Sequence, residues 1–131
     1  MFKQLSRKFC TAAAHVPVMS KEVLHFLKPD VNQVILDMTF GAGGHSRRIL
    51  ESAPGIKLLA LDRDPVACGY AKKISEEFPN QVIPLLGRFS EVPDLLKSNN
   101  IRQNSIDAIL FDFGCSSMQF DTPSRGFSIS H

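Results

Sequence analysis

The sequence of 131 residues predicts an α/β fold, a parallel sheet of about four strands with helices on both faces. Short apolar runs alternate with helix-like segments four times along the chain. A glycine-dense turn, residues 41–44, directly follows the first apolar run. Acids end three of the runs, at Asp37, Asp62 and Asp112. Because the carboxyl ends of parallel strands form the ligand crevice of an open sheet, this pattern predicts a site for a nucleoside cofactor.

The elements of the first half follow from residue spacing and from helix-breaking residues. Apolar residues at helical spacing end before Pro29, and a second helical pattern breaks at Pro54. Two apolar runs flank that second pattern and have the length of buried strands. The elements predicted here are a helix at 18–27, a strand at 33–38, a helix at 45–51 and a strand at 57–61.

The elements of the second half carry clearer start and stop signals. Asp64 is expected to cap a helix that has Pro65 at its first position, and Ser90 to cap a later one. Pro84 suggests an edge position for the third strand, because proline cannot donate to the ladder. The fourth run is nearly all apolar, which predicts a strand buried on both faces in the middle of the sheet. The predicted elements are helices from 64 to about 78 and from 90 to about 97, and strands at 81–86 and 106–111.

The two ends of the chain differ from this pattern. Residues 1–14 contain basic and hydroxyl residues but no acid, and they place Phe2, Leu5 and Phe9 on one helical face. This is typical of a mitochondrial presequence and predicts the mitochondrial matrix, although an ordinary basic tail remains the alternative. Residues 113–131 have no helical or strand period and predict an irregular tail. A four-stranded half-sheet that finishes in such a tail suggests a domain incomplete at its carboxyl end.

Composition narrows the class of protein without naming a partner. A formal net charge of +2 is too mild to argue for nucleic acid. The three cysteines are widely spaced and form no C-x-x-C pair, which argues against a disulfide framework or a zinc site, and no metal is expected. No apolar run of about 18 residues occurs, so no membrane span is predicted.

The glycine turn discriminates between cofactors. In the register of a dinucleotide fingerprint it runs from Gly41 to Ser46, so the sixth place holds no small apolar residue, and no Walker lysine is present. S-adenosylmethionine has no phosphate and needs only close backbone approach, which Gly43 and Gly44 allow. His45 is expected to bind through its backbone N–H or to cap the next helix rather than act as a base. Phe89 is placed to stack on an adenine, although a packed loop aromatic fits almost as well.

Several motifs together resemble the small-subunit ribosomal RNA cytosine-N4 methyltransferases. They are His15-Val-Pro-Val18, Asp37-Met-Thr-Phe-Gly-Ala-Gly-Gly-His-Ser46, Leu61-Asp-Arg-Asp-Pro65, Gly87-Arg-Phe-Ser90, Phe111-Asp-Phe-Gly-Cys-Ser-Ser-Met-Gln-Phe-Asp121 and Arg125-Gly-Phe-Ser128. The Phe111 to Asp121 block is the specific one, since glycine loops and Asp-Arg-Asp-Pro recur elsewhere. With the presequence-like start, the resemblance favours the mitochondrial member of the family.

The resemblance implies the amino-terminal half of a Rossmann-like class I methyltransferase, with an S-adenosyl-L-methionine-binding half-domain at residues 15–128. It assigns the methionine end of the cofactor to Gly43, Gly44 and His45, the ribose to Asp62, the adenine to Phe89, and the rest of the pocket to Asp112 and Gln119. It implies methyl transfer to the exocyclic amine of a cytosine in small-subunit rRNA, with Asp112 as the catalytic candidate. Cys115 is disfavoured as a nucleophile, because this chemistry needs no covalent intermediate.

Two other interpretations remain open. Family members continue beyond the Arg125 to Ser128 motif, with an inserted RNA-binding domain and further strands, so a truncated product is expected here. A non-catalytic fragment that retains at most cofactor binding is therefore the main alternative. A nucleotide-dependent oxidoreductase is disfavoured by the register of the glycine turn.

Overall fold

The structure, a computed structural model, describes residues 17–127 and contains one parallel sheet of four strands in the order β3-β2-β1-β4. The strands are β1 (Val34–Asp37), β2 (Lys57–Asp62), β3 (Val82–Leu86) and β4 (Ala108–Leu110). The helices are α1 (Ser20–Leu27), α2 (Gly44–Ser52), α3 (Pro65–Glu77), α4 (Val92–Ser98) and α5 (Ser117–Phe120). Single 3₁₀ turns occur at Phe89–Glu91 and Pro123–Arg125. The predicted α/β fold and its four parallel strands are confirmed.

Alternate side chains of the central strands lie in two separate apolar layers, one on each face of the sheet. Ile35 of β1 and Leu58 of β2 lie in the layer covered by α1, α2 and α3. Leu36 and Leu59, their neighbours in sequence, lie in the other layer, which α4 covers. The period of two in a strand sends adjacent side chains to opposite faces, so these apolar runs require helices on both faces.

The Asp64 cap and the edge position of β3 agree with the sequence-based expectations, whereas the predicted Ser90 cap is wrong. The Asp64 side chain accepts a hydrogen bond from the N–H of Val66 at 3.0 Å, and Pro65 is the first helical residue of α3. β3, which contains Pro84, pairs with β2 and lies at one end of the sheet order. Ser90 does not cap α4, because a 3₁₀ turn at Phe89–Glu91 intervenes and the Glu91 side chain accepts from the N–H of Arg88.

The fourth strand differs most from its prediction. β4 has three residues instead of six, and the Ile109 side chain is 51% exposed. Its apolar sequence predicts burial on both faces, but within residues 17–127 it pairs with β1 alone. The α5 helix and the second 3₁₀ turn lie in the segment that the sequence predicts to be irregular. The predicted presequence, residues 1–14, lies outside the described residues.

An ion pair joins α2 and α3, two of the three helices that cover one face of the sheet. Both guanidinium nitrogens of Arg47 in α2 donate to the Glu77 carboxylate in α3, each at 2.8 Å. This bidentate hydrogen bonding raises the pKa of Arg47 and lowers the pKa of Glu77. Because Arg47 lies one turn into α2, the pair links α2 to α3 close to the start of α2.

No helix among the described residues is long and apolar enough to cross a membrane.

We expect the 131-residue chain to self-associate through β4. Ile109 is exposed on this strand, and a groove of about 500 Å³ separates it from Phe26 of α1, which is 81% exposed. Apolar side chains beside an unpaired strand edge recruit other chains. Sedimentation velocity over a concentration series should show species larger than a monomer, and Ile109→Lys should shift the distribution towards the monomer.

Val31→Lys is the matched control, because Val31 is equally exposed but lies in the turn before β1 and does not line the groove. It should leave the distribution unchanged. A wild-type chain that sediments as a monomer at every concentration would contradict this expectation.

Candidate functional site

A cavity of about 1020 Å³ opens at the carboxyl ends of the strands. Its wall is formed by the turn after β1, the start of α2, the end of β2, the turn after β3 and the segment after β4. All seven candidate site residues line it: Gly43, Gly44, His45, Asp62, Phe89, Asp112 and Gln119. The sequence places these residues on four separate segments, and the parallel sheet brings them together because its strands end at one edge.

The glycine turn after β1 is shaped by packing as well as by the cavity. Gly43 has a φ of +80°, and a Cβ at this position would lie 2.6 Å from both Ile74 and Phe40. Any side chain here would therefore clash with the core behind the turn. The sequence suggests that Gly43 is needed for close approach of a ligand, but the geometry supplies a second and sufficient reason. Gly43 precedes α2, and no side chain caps that helix.

Asp62 holds the turn against the end of β2. Its Oδ2 accepts a hydrogen bond from the N–H of Gly41 at 2.8 Å, and its Oδ1 accepts from the N–H of Asp64 at 3.0 Å. Each carboxylate oxygen can accept a further hydrogen bond, so the cavity side of Asp62 can still accept from ligand hydroxyls. Asp62 is therefore both a structural link and a candidate ligand-binding group.

Asp37, at the end of β1, is buried directly below the turn. Its two oxygens accept from the N–H of Thr39 at 3.0 Å and from the hydroxyl of Ser46 at 2.7 Å. Burial raises the pKa of Asp37 to about 6, because desolvation of the charged carboxylate outweighs these two hydrogen bonds and the nearby His45. The sequence shows an acid at this strand end but gives no sign that Thr39 and Ser46 would satisfy it.

Asp112 follows β4 and points towards α2. Its backbone N–H donates to the hydroxyl of Thr39 at 2.7 Å, and its Oδ2 lies 3.4 Å from Nε2 of His45. The Asp112 side chain is 59% exposed, so a carboxylate oxygen remains available on the cavity side. This contact between the histidine of the glycine turn and the acid after β4 cannot be seen in the sequence.

Three exposed phenylalanines form a cluster beside the cavity. Phe111 and Phe113 stack with ring centroids 5.2 Å apart, and Phe89 meets both edge-on at 5.8 and 6.2 Å. Phe89 lines the cavity, and it also packs against these aromatic neighbours. Both uses that the sequence leaves open for Phe89 are compatible with this arrangement.

The segment after β4 is tied back to the site by contacts that the sequence does not reveal. Oδ2 of the buried Asp64 lies 2.8 Å from the Arg125 guanidinium, close enough for an ion pair. The Gln119 side chain accepts from the N–H of Ser116, which places Gln119 at the cavity wall. Cys115 is exposed and also lines the cavity. No cluster of three metal-ligating side chains occurs between residues 17 and 127.

The sheet order, the glycine turn after β1 and the acid that ends β2 define a Rossmann-like domain. A model of the MraW methylase family matches residues 12–131. The chain belongs to this family.

Three of the similar proteins are named as methyltransferases. A probable methyltransferase-like protein 15 homolog of Drosophila melanogaster is 54% identical to the chain, over 92% of the chain and 34% of that protein. The 12S rRNA N(4)-cytidine methyltransferase METTL15 of Mus musculus is 51% identical, over 90% of the chain and 29% of that protein. Ribosomal RNA small subunit methyltransferase H of a Wolbachia species is 44% identical, over 89% of the chain and 39% of that protein. The chain spans roughly a third of the length of these relatives.

The raised pKa of Asp37 predicts a specific dependence of stability on pH. Because the pKa rises from 3.8 to about 6 on folding, the folded protein binds this proton more tightly than the unfolded chain. The contribution of Asp37 to the free energy of unfolding should therefore fall as pH rises from about 4 to about 6, by about 3 kcal/mol in total, and stay constant at higher pH.

Urea unfolding of the wild type and of Asp37→Asn between pH 4 and 7.5 measures this contribution. The difference in stability between the two should follow the fall described, whereas exposed Asp94→Asn should not reproduce it. A difference between wild type and Asp37→Asn that stays constant with pH would show that Asp37 does not titrate in this window.

Proposed function

We propose that the chain forms the S-adenosyl-L-methionine-binding part of an rRNA methyltransferase that modifies the N4 amine of a cytosine in mitochondrial small-subunit rRNA. The observation that carries the proposal is that the seven candidate residues line one cavity at the carboxyl ends of the strands. Membership of a methylase family supports the reaction type. The mouse and Wolbachia relatives are both named as rRNA methyltransferases, which supports rRNA as the substrate, and the name of the mouse relative supports the N4 position of cytidine.

The residues of the cavity fit S-adenosylmethionine in their chemistry. The amino end of α2 has no capping side chain, so its first backbone N–H groups, including those of Gly44 and His45, can donate to the carboxylate of the methionine part. Asp62 keeps free acceptor capacity for ribose hydroxyls after its two backbone contacts. Phe89 offers an exposed ring for the adenine, and the side chain of Gln119 completes the wall near Asp112.

Asp112 is the group that this arrangement offers to the acceptor amine. The bound cofactor supplies an electrophilic methyl group on its sulfonium sulfur. The cytosine amine is a weak nucleophile because its lone pair is delocalised into the ring. The Asp112 carboxylate can accept one N–H of that amine, orient it, and receive its proton as the new C–N bond forms and the C–S bond breaks.

The same comparisons support the proposed location and partner. The mouse relative is named for 12S rRNA, which supports a mitochondrial protein, and the presequence predicted at residues 1–14 supports the matrix. The RNA contacts are expected mainly outside this chain, since it spans about a third of its relatives. A chain that binds the cofactor but transfers no methyl group is the second candidate function, and it is favoured by the same partial coverage.

Asp62→Ala should weaken binding of S-adenosylhomocysteine by roughly tenfold to a hundredfold, because it removes charge-assisted hydrogen bonds to the ribose and to the glycine turn. Isothermal titration calorimetry on the 131-residue chain measures this affinity. Glu76→Ala is the control, since Glu76 is an exposed acid on α3 and does not line the cavity. Unchanged affinity in Asp62→Ala would remove Asp62 from the pocket, and failure of the wild type to bind would remove the cofactor assignment.

Asp112→Asn should lower the rate of methyl transfer more than it lowers cofactor affinity. The proposed contact of Asp112 with the amine strengthens in the transition state, where the amine gains positive charge. The rate is measured with radiolabelled S-adenosylmethionine and a small-subunit rRNA fragment. The protein assayed contains the whole of this chain. Equal losses of rate and affinity would make Asp112 a cofactor ligand only.

A further inference from the structure

We propose that His45 is a positioning residue for Asp112. The imidazole Nε2–H holds one oxygen of the Asp112 carboxylate and leaves the other oxygen for the acceptor amine. This inference rests on the proposed function, and it gives the His45 side chain a role separate from the backbone N–H expected to bind the cofactor. One member of the pair is buried and the other is exposed. The His45 side chain is 9% exposed, whereas the Asp112 side chain is 59% exposed.

The start of α2, which carries His45, is held by the buried hydrogen bonds under the glycine turn. His45 lies in the first turn of α2, beside Ser46, whose hydroxyl donates to buried Asp37 at 2.7 Å. This bond holds the backbone that carries the imidazole, and burial of the ring restricts the rotamers open to it. An exposed carboxylate gains orientation from such a rigid donor, and orientation of this kind controls the rates of bimolecular steps.

The proton on His45 is assigned by its surroundings. Nδ1 is buried and has no hydrogen-bond partner among residues 17–127. Nδ1 is therefore without a partner in either neutral tautomer, but a proton on Nδ1 would also leave the lone pair of Nε2 facing the Asp112 carboxylate at 3.4 Å. The tautomer with its proton on Nε2 instead directs an N–H towards Asp112.

The backbone of Asp112 is held independently of its side chain. Its N–H donates to the hydroxyl of Thr39 at 2.7 Å, and the N–H of Thr39 donates to Asp37 at 3.0 Å. Thr39 thus fixes the backbone position of Asp112, and His45 orients its carboxylate. The Nε2 to Oδ2 distance of 3.4 Å is longer than a formed hydrogen bond. Hydrogen bonds of catalytic groups commonly tighten in the complex with substrate, and this contact is close enough to do so.

A double-mutant cycle tests whether His45 acts through Asp112. His45→Ala should lower kcat roughly tenfold to a hundredfold, with a smaller change in KM for S-adenosylmethionine. In the Asp112→Asn background the same change should lower kcat less than about twofold, because the carboxylate that His45 orients is already gone. Equal losses in both backgrounds would overturn the proposal.

Two replacements of similar size separate positioning from packing. The side-chain amide nitrogen of His45→Gln reaches the position of Nε2, whereas that of His45→Asn reaches only the position of Nδ1. His45→Gln should therefore recover most of kcat, and His45→Asn should resemble His45→Ala. Recovery by both variants or by neither would contradict a role for Nε2. His25→Ala is the control, because His25 lies in α1 and does not line the cavity.

A measurement without activity separates this inference from the proposed function. Long-range ¹H–¹⁵N correlation spectra of the 131-residue chain should show His45 with its proton on Nε2, and Asp112→Asn should shift that nitrogen. The spectrum of His25 should not change in Asp112→Asn. A shift supports the pair even if the wild type transfers no methyl group, which would count against the proposed function alone. An Nδ1–H tautomer, or no shift, would overturn the pair.

Discussion

The arrangement of the site depends on one buried carboxylate. Asp37 ends β1, and its two oxygens accept from the turn through Thr39 and from α2 through Ser46. Burying a carboxylate without hydrogen-bond partners costs free energy. Moving Asp37 away from Thr39 or Ser46 would therefore be unfavourable. Thr39 in turn receives the N–H of Asp112. The end of β1, the start of α2 and the segment after β4 therefore share one anchor.

A second carboxylate extends this anchor across the sheet. Asp62, at the end of β2, accepts the N–H of Gly41 from the turn and the N–H of Asp64 that leads into α3. Asp64 caps α3 and lies beside Arg125, from the last described segment. The acids at the ends of the strands thus carry structural contacts as well as candidate ligand contacts. Changing any of them alters the shape of the cavity as well as its charge, which is why matched controls matter when their roles are measured.

The fold could be predicted because its signals are local. The alternation of apolar runs with helical patterns, the Asp64-Pro65 cap and Pro84 at an edge strand all depend on residues close in sequence. The length of β4 could not be predicted, because the burial of a strand depends on which strands pair with it. The candidate site residues are brought to one cavity by the sheet, but the contact of His45 with Asp112 and the ion pair of Asp64 with Arg125 join distant segments. No local pattern encodes which distant side chains meet.

The hydrogen bond between Asp112 and Thr39 has a consequence for the order in which the chain folds. It joins residues 73 positions apart, whereas the bond from Gly41 to Asp62 spans only 21. Closing the longer loop costs about 1 kcal/mol more chain entropy, and that cost precedes any gain from the contact. We therefore expect the glycine turn to close before the contact that completes the Asp112 wall of the cavity.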